Sequence, residues 1–344
     1  MKKLAYLVLF LSFSCKEKEV APDTFLSFSA DGKAAVINNE EPSIALKLGE
    51  DAVWNSLKVD FTLSNNAVLE IGGSPVSPGS TVDFSQVSQL VLKSADGRTR
   101  AYSLKKTSVF EEFGMGNIQE RFRSLNRSYS FYIDQYGTGT HQYINCGPTV
   151  VTMALKWSDS TFNQTATAAR NTIRPEGGWW YTNDIYDYLR RYGVTGAYYP
   201  LPFGLSLAQY ETKLAEIIDS GHLAILCLDM FYVRENTLPT QRTNRFYSAN
   251  SVGWGHFILV KGYRVIDGKM WLEIHDPYSI DKKYAEGQLK GDRRYYDPVD
   301  IKKATDVWWQ YAIVVPRKNG TVPARFKALE ESSVPPQKGR GFFR

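Results

Sequence analysis

Hydrophobic and polar positions alternate in short runs along the first part of this chain. The runs cover 25–28, 44–48, 57–63, 67–71, 90–93 and 99–104, and Gly, Pro, Asn, Asp and Ser separate them. A period of two is the strand period, and no helical period longer than a turn interrupts it. The pattern predicts a small all-β sandwich over 25–107. Asp96-Gly97, flanked by apolar runs, predicts the turn of a hairpin. The spacing then lengthens. Phe113, Ile118 and Phe122 fall at helical intervals and predict a connecting helix within 108–127.

Between 128 and 316 the pattern is mixed. Residues 130–135 predict a short strand, and a Gly/Thr-rich loop leads from it to Cys146. Apolar helical runs follow from Gly147 to Trp157, from Asn183 to Gly193 and from Ser206 to Asp219. The last third is strand-like: 222–230, 256–265, 270–275 and 307–315. Helices first and an antiparallel sheet after them predict an α+β domain. Beyond Pro316 the chain is polar and rich in Pro and Gly, and disorder is expected over 317–344.

Composition sharpens this picture in two respects. An apolar fraction of 43% in 344 residues supports about two packed domains. The net charge of +5 is small, and no basic stripe or nucleic-acid motif is present, so nucleic acid is not an expected partner. The first residues read as a processing signal. Lys2 and Lys3 precede an apolar run, Leu4 to Phe13, too short to span a bilayer. Small residues before Cys15 resemble a bacterial lipoprotein cleavage site, with Ser12 in place of the usual aliphatic residue. The resemblance implies a signal at 1–15, a lipid on Cys15, a charged tether at 16–24 and a membrane-anchored protein of the cell envelope. An ordinary secretory signal is the alternative, and either one exports the chain. Arg100 to Leu104 resembles the last strand of immunoglobulin-like modules in bacterial surface lipoproteins.

Candidate chemistry centres on Asn145-Cys146-Gly147-Pro148-Thr149. An apolar helix follows directly, so the thiol stands in a first turn, where backbone N–H groups and the helix dipole favour an anion. Asn145 is the expected cap, Gly147 would let a substrate backbone approach, and Pro148 is tolerated in a first turn. Gly255-His256-Phe257 opens a later strand, and Asp276-Pro277-Tyr278 ends the one after it. A hairpin between the two strands would set His256 beside Asp276, where an acid fixes the imidazole tautomer. Cys227 lies in a fully apolar strand and is expected to be core, with a disulfide to Cys146 as the alternative. No Cys or His pair has the spacing of a metal site, so neither metal nor cofactor is expected. The aromatic clusters at Trp179-Trp180 and Trp308-Trp309 predict core or groove wall, and Trp179 and Trp254 are candidate substrate contacts.

Read together, Asn-Cys-Gly-Pro-Thr, Gly-His-Phe and Asp-Pro-Tyr resemble the papain-fold peptidases typified by the bacteriocin leader peptidases, over about 130–315. The resemblance implies a papain-like domain with Cys146, His256 and Asp276 as its triad. It also implies an oxyanion-binding glutamine upstream of the cysteine. Tyr132-Ile133-Asp134-Gln135 matches the family's short strand and points to Gln135, with Gln142 as the alternative. The function implied is thiol-dependent peptide hydrolysis by a surface-anchored monomer acting on a peptide or protein. Amidase or transpeptidase chemistry, and non-catalytic binding of a peptide or glycan, stay open.

Overall fold

A computed structural model of the chain describes residues 21–328. The leader, Cys15, the first part of the tether and 329–344 lie outside the described residues. The fold is β-rich with few helices, and the chain divides into two compact units. The first contains Lys58–Thr81, Gln86–Lys105 and the described residues up to Leu46. The second contains Lys47–Leu57, Val82–Ser85 and the chain from Lys106 onward. No helix of the described residues is long and apolar enough to cross a membrane.

The first unit is built on two sheets. One has the order β2-β1-β5-β8, from Lys33–Ala34 (β2), Phe25–Ala30 (β1), Leu57–Leu63 (β5) and Thr81–Val82 (β8). The other has the order β3-β4-β10-β9-β6-β7. Its strands are Val36–Asn38 (β3), Ser43–Leu48 (β4), Thr99–Ser108 (β10), Gln89–Lys93 (β9), Val68–Ile71 (β6) and Ser74–Val76 (β7). Alternation along β5 buries Leu57, Val59 and Phe61 and exposes the residues between them, as a sheet with one wet face requires. The Asp96-Gly97 turn joins β9 to β10, with Thr99 opposite Lys93.

The expected connecting helix is corrected. Helix α1 is only Val109–Phe113, and it ends at Gly114 in the left-handed conformation, φ 80°. A side chain at that φ is strained, so the chain stops being helical there. It continues as a strand, β11 (Gln119–Ser124), antiparallel to β14 (Gly255–Ile266). Polar contacts explain why the 47–57 segment groups with the second unit. The Gln119 amide donates to the carbonyls of Glu50 and Ala52, and Glu50 pairs with Arg293 at 2.7 Å.

The second unit is a sheet of order β16-β15-β14-β13-β17-β12-β18, with β11 also on β14. The remaining strands are Ala197–Pro200 (β12), Leu223–Asp229 (β13), Lys269–His275 (β15), Arg294–Tyr296 (β16), Tyr311–Val315 (β17) and Lys327–Ala328 (β18). Helices α2 (Cys146–Ser158), α3 (Ala166–Ile173) and α4 (Thr182–Arg191) follow one another, with α5 (Leu207–Asp219) and α6 (Pro298–Asp306) later in the chain. Nearly every residue of α2 is buried, consistent with a helix apolar on all sides. Ser206 and Gln209 cap α5 reciprocally.

Three further expectations are corrected. Residues 130–135 join no sheet; hydrogen bonds to the segment after β15 hold them instead. The last long strand starts at Tyr311 rather than Val307. Within the expected disordered tail, 317–328 is ordered. Phe326 is buried against Tyr199 and His222, and Lys327–Ala328 pair with β12.

Candidate active site

The site forms where the start of α2 meets the start of β14 and the end of β15. Cys146 is the first residue of α2 and is buried. Asn145 precedes it, but its side chain does not cap the helix. Its amide instead donates to Thr138 Oγ1 at 2.9 Å, and its Oδ1 accepts from Arg170 Nε at 2.7 Å. Both partners sit beside the turn, so the amide braces the loop. The reason for Gly147 also differs from the expected one. A Cβ there would stand 2.6 Å from Trp180 Cβ, so the glycine admits a tryptophan rather than a substrate.

His256 is the second residue of β14, and Asp276 follows the last residue of β15. Antiparallel pairing sets Leu259 opposite His275 and brings the two side chains together. His256 Nε2 donates to Asp276 Oδ1 at 2.8 Å. Cys146 lies near enough to favour the charged imidazole. With Nε2 taken by Asp276, Nδ1 is the nitrogen left for the sulfur. Burial opposes the charged imidazole, but Asp276 and Cys146 outweigh it and raise His256 from its ordinary value to about 10. Burial likewise opposes the Asp276 carboxylate. His256 and the hydroxyl of Tyr296 overcome that cost and hold the acid below its ordinary range. Asp276 has no exposed surface and satisfies both oxygens. Oδ1 accepts from His256 and from the Tyr278 N–H at 3.0 Å, and Oδ2 accepts from the hydroxyls of Tyr247 and Tyr296.

Gln135 and Gln142 are brought to the same loop but do different things. Gln135 is 2% exposed and lines the cleft that contains Cys146. Its Nε2 donates to the Gln142 carbonyl at 2.9 Å, and its Oε1 has no partner. Its backbone N–H donates to the Pro277 carbonyl, next to Asp276. The Gln142 side chain accepts from the Gly137 N–H at 2.7 Å and braces the loop. The cleft holds about 190 Å³ and is lined by Gln135, Tyr143, Cys146, Trp179, Ser251, Gly253, Trp254, Gly255, His256 and Tyr278. Both candidate tryptophans are in its wall. The N–H of Trp254 donates to the buried Asp229, which fixes that turn.

Cys227 is a free buried thiol, as is Cys146, so the alternative disulfide is absent. Burial raises the Cys227 thiol well above its ordinary value. Among the described residues, no group of three or more His, Cys, Asp or Glu could hold a metal ion.

Several residues of the site escaped the sequence reading. Tyr247 and Tyr296 reach Asp276 from a loop and from β16, and Arg170 reaches Asn145 from α3. No motif marks them, because each is defined by its place in the fold. Tyr278 was visible in Asp-Pro-Tyr, but only the folded loop shows it in the cleft wall. Chemically, the arrangement presents a thiol, an imidazole that holds its proton more tightly than usual and a buried carboxylate bonded to that imidazole, with the Gln135 amide in the same cleft.

No protein-family model matches this chain, and no curated protein matches it. Among solved structures, one similar chain comes from Bacteroides thetaiotaomicron and is provisionally described as a glycoside hydrolase. The identity is 14%, over 87% of this chain and 91% of that one, with a TM-score of 0.22. A likeness at that score carries no argument about fold or activity.

Proposed function

We propose that this chain is a papain-like cysteine peptidase on an exported lipoprotein with an N-terminal immunoglobulin-like module. The observation that carries this reading is that Cys146 and His256 line one cleft, with the buried Asp276 hydrogen-bonded to His256 behind it. The thiolate is the nucleophilic form of cysteine. A helix start and a protonated imidazole are the two groups that best favour it.

In this reading Cys146 Sγ attacks the carbonyl carbon of the scissile bond, and the carbonyl oxygen becomes an oxyanion. The Cys146 backbone N–H and Gln135 Nε2 donate to it. His256 gives its proton to the leaving amine as the C–N bond breaks. The neutral imidazole then takes a proton from water, whose oxygen attacks the thioester; the C–S bond breaks, the acid leaves, and the thiolate and imidazolium are restored. Asp276 keeps the ring in orientation throughout, and Tyr143, Trp179, Trp254 and Tyr278 supply walls for an extended chain.

The test is peptide-library profiling of the purified chain beside Cys146→Ala, with products identified by mass. Cleavage that depends on Cys146 supports the reading. Products carrying a transferred amine would move it to transpeptidation. Turnover equal in the two proteins, or none in either, would reject it.

A further inference from the structure

Arg170 is 2% exposed, and its guanidinium makes three hydrogen bonds. Nε donates to Asn145 Oδ1 at 2.7 Å, Nη2 to the Ile144 carbonyl at 3.0 Å, and Nη1 to the Gly178 carbonyl at 2.8 Å. One side chain therefore ties the two residues before the thiol to the residue before Trp179, a wall of the cleft. The group also lies 5.9 Å from the Trp180 ring centroid, and Trp180 packs on Gly147.

The three acceptors are all uncharged. The neighbouring acid, Asp184, is instead paired with Arg174 at 2.8 Å. Among the described residues, Arg170 forms no ion pair with a carboxylate. A buried cation without a counterion is costly. Burial pulls Arg170 below its ordinary value, and of the nearby charges that push back, that of Cys146 is the largest.

We propose that Arg170 is a positioning residue that locks the turn carrying the nucleophile to the Trp179 wall and adds its positive charge to the one His256 brings to Cys146. It rests on Cys146 as the nucleophile proposed above. Three acceptors in a fixed fork suit a guanidinium and not an ammonium. The two parts of the role therefore separate in variants.

The test follows alkylation of Cys146 by iodoacetamide, read by peptide mapping, in wild type, Arg170→Lys and Arg170→Gln. Arg170→Gln should alkylate about tenfold more slowly near pH 6. Its rate should converge on that of wild type in alkaline solution, where the thiol ionises without help. Arg170→Lys should recover most of the alkylation rate while kcat/KM stays low. Identical alkylation profiles, or a deficit equal at every pH, would overturn the proposal. If Arg170→Gln does not fold, Arg170→Lys decides: unchanged alkylation together with unchanged kcat/KM overturns it. Alkylation needs no peptide, so a wild type that cleaves nothing would sink the peptidase reading while leaving this charge relation measurable.

Discussion

Tyr247 donates its hydroxyl to Asp276 Oδ2 at 2.8 Å, on the carboxylate oxygen that does not face His256. The same ring lies edge-on to Tyr278, with centroids 4.8 Å apart. The acid is thus oriented by a residue that also packs on the cleft wall. Tyr247→Phe removes a hydrogen bond to a charged group, worth about 1.5–3 kcal/mol. The acid limb of kcat/KM should move to higher pH, since Asp276 loses a donor that favours its charge, and KM should change little. An unmoved limb would show that the hydroxyl does not tune the acid.

The raised His256 makes folding stability depend on pH. Its folded value is about 10, above the ordinary ~6.5, so its contribution is complete below ~6.5 and is lost as pH rises toward 10. The urea midpoint of wild type should therefore fall between about pH 7 and pH 10, and His256→Gln should flatten that slope. Equal slopes in the two proteins would mean that the imidazole holds its proton no more tightly than in the unfolded chain.

The two glutamines should separate by size of effect. Gln135→Ala removes a donor from the cleft beside Cys146, and loss of such a donor lowers kcat by about 10²–10³-fold. Gln142→Ala removes the acceptor of the Gly137 N–H and should cost several-fold less, through a looser loop. Steady-state kinetics beside a thermal melt checks both. The reverse ranking would hand the oxyanion role to Gln142.

Gly147→Ala sets helix propensity against packing. Alanine favours a helix interior by about 1 kcal/mol, but its Cβ would stand 2.6 Å from Trp180 Cβ. Overpacking of that kind costs about 1–3 kcal/mol, so a net loss is expected. A urea titration reporting equal or higher stability would show that Trp180 can move aside.

How far the sequence foretold this depends on where each residue's partner lies. His256 and Asp276 were legible as neighbours because consecutive strands pair locally, and both lie at the same end of their hairpin. The first unit's strands were legible because one face alternates with water. The 108–127 segment misled because Phe113, Ile118 and Phe122 satisfy a helical interval across Gly114, whose backbone ends the helix. Asn145 misled because its capping role competes with Arg170 and Thr138, which arrive through tertiary structure. Tyr296 could not be read from its neighbours at all, since β16 meets β15 only after a loop of more than a dozen residues.

The short pairing of Lys327–Ala328 on β12 has a consequence for solubility. An uncovered ladder at a sheet margin is a template on which another chain can add. Phe326, anchored beneath that margin, holds the covering strand in place. A protein trimmed before this segment would offer bare main-chain donors and acceptors to its own copies, and self-association would compete with the native state.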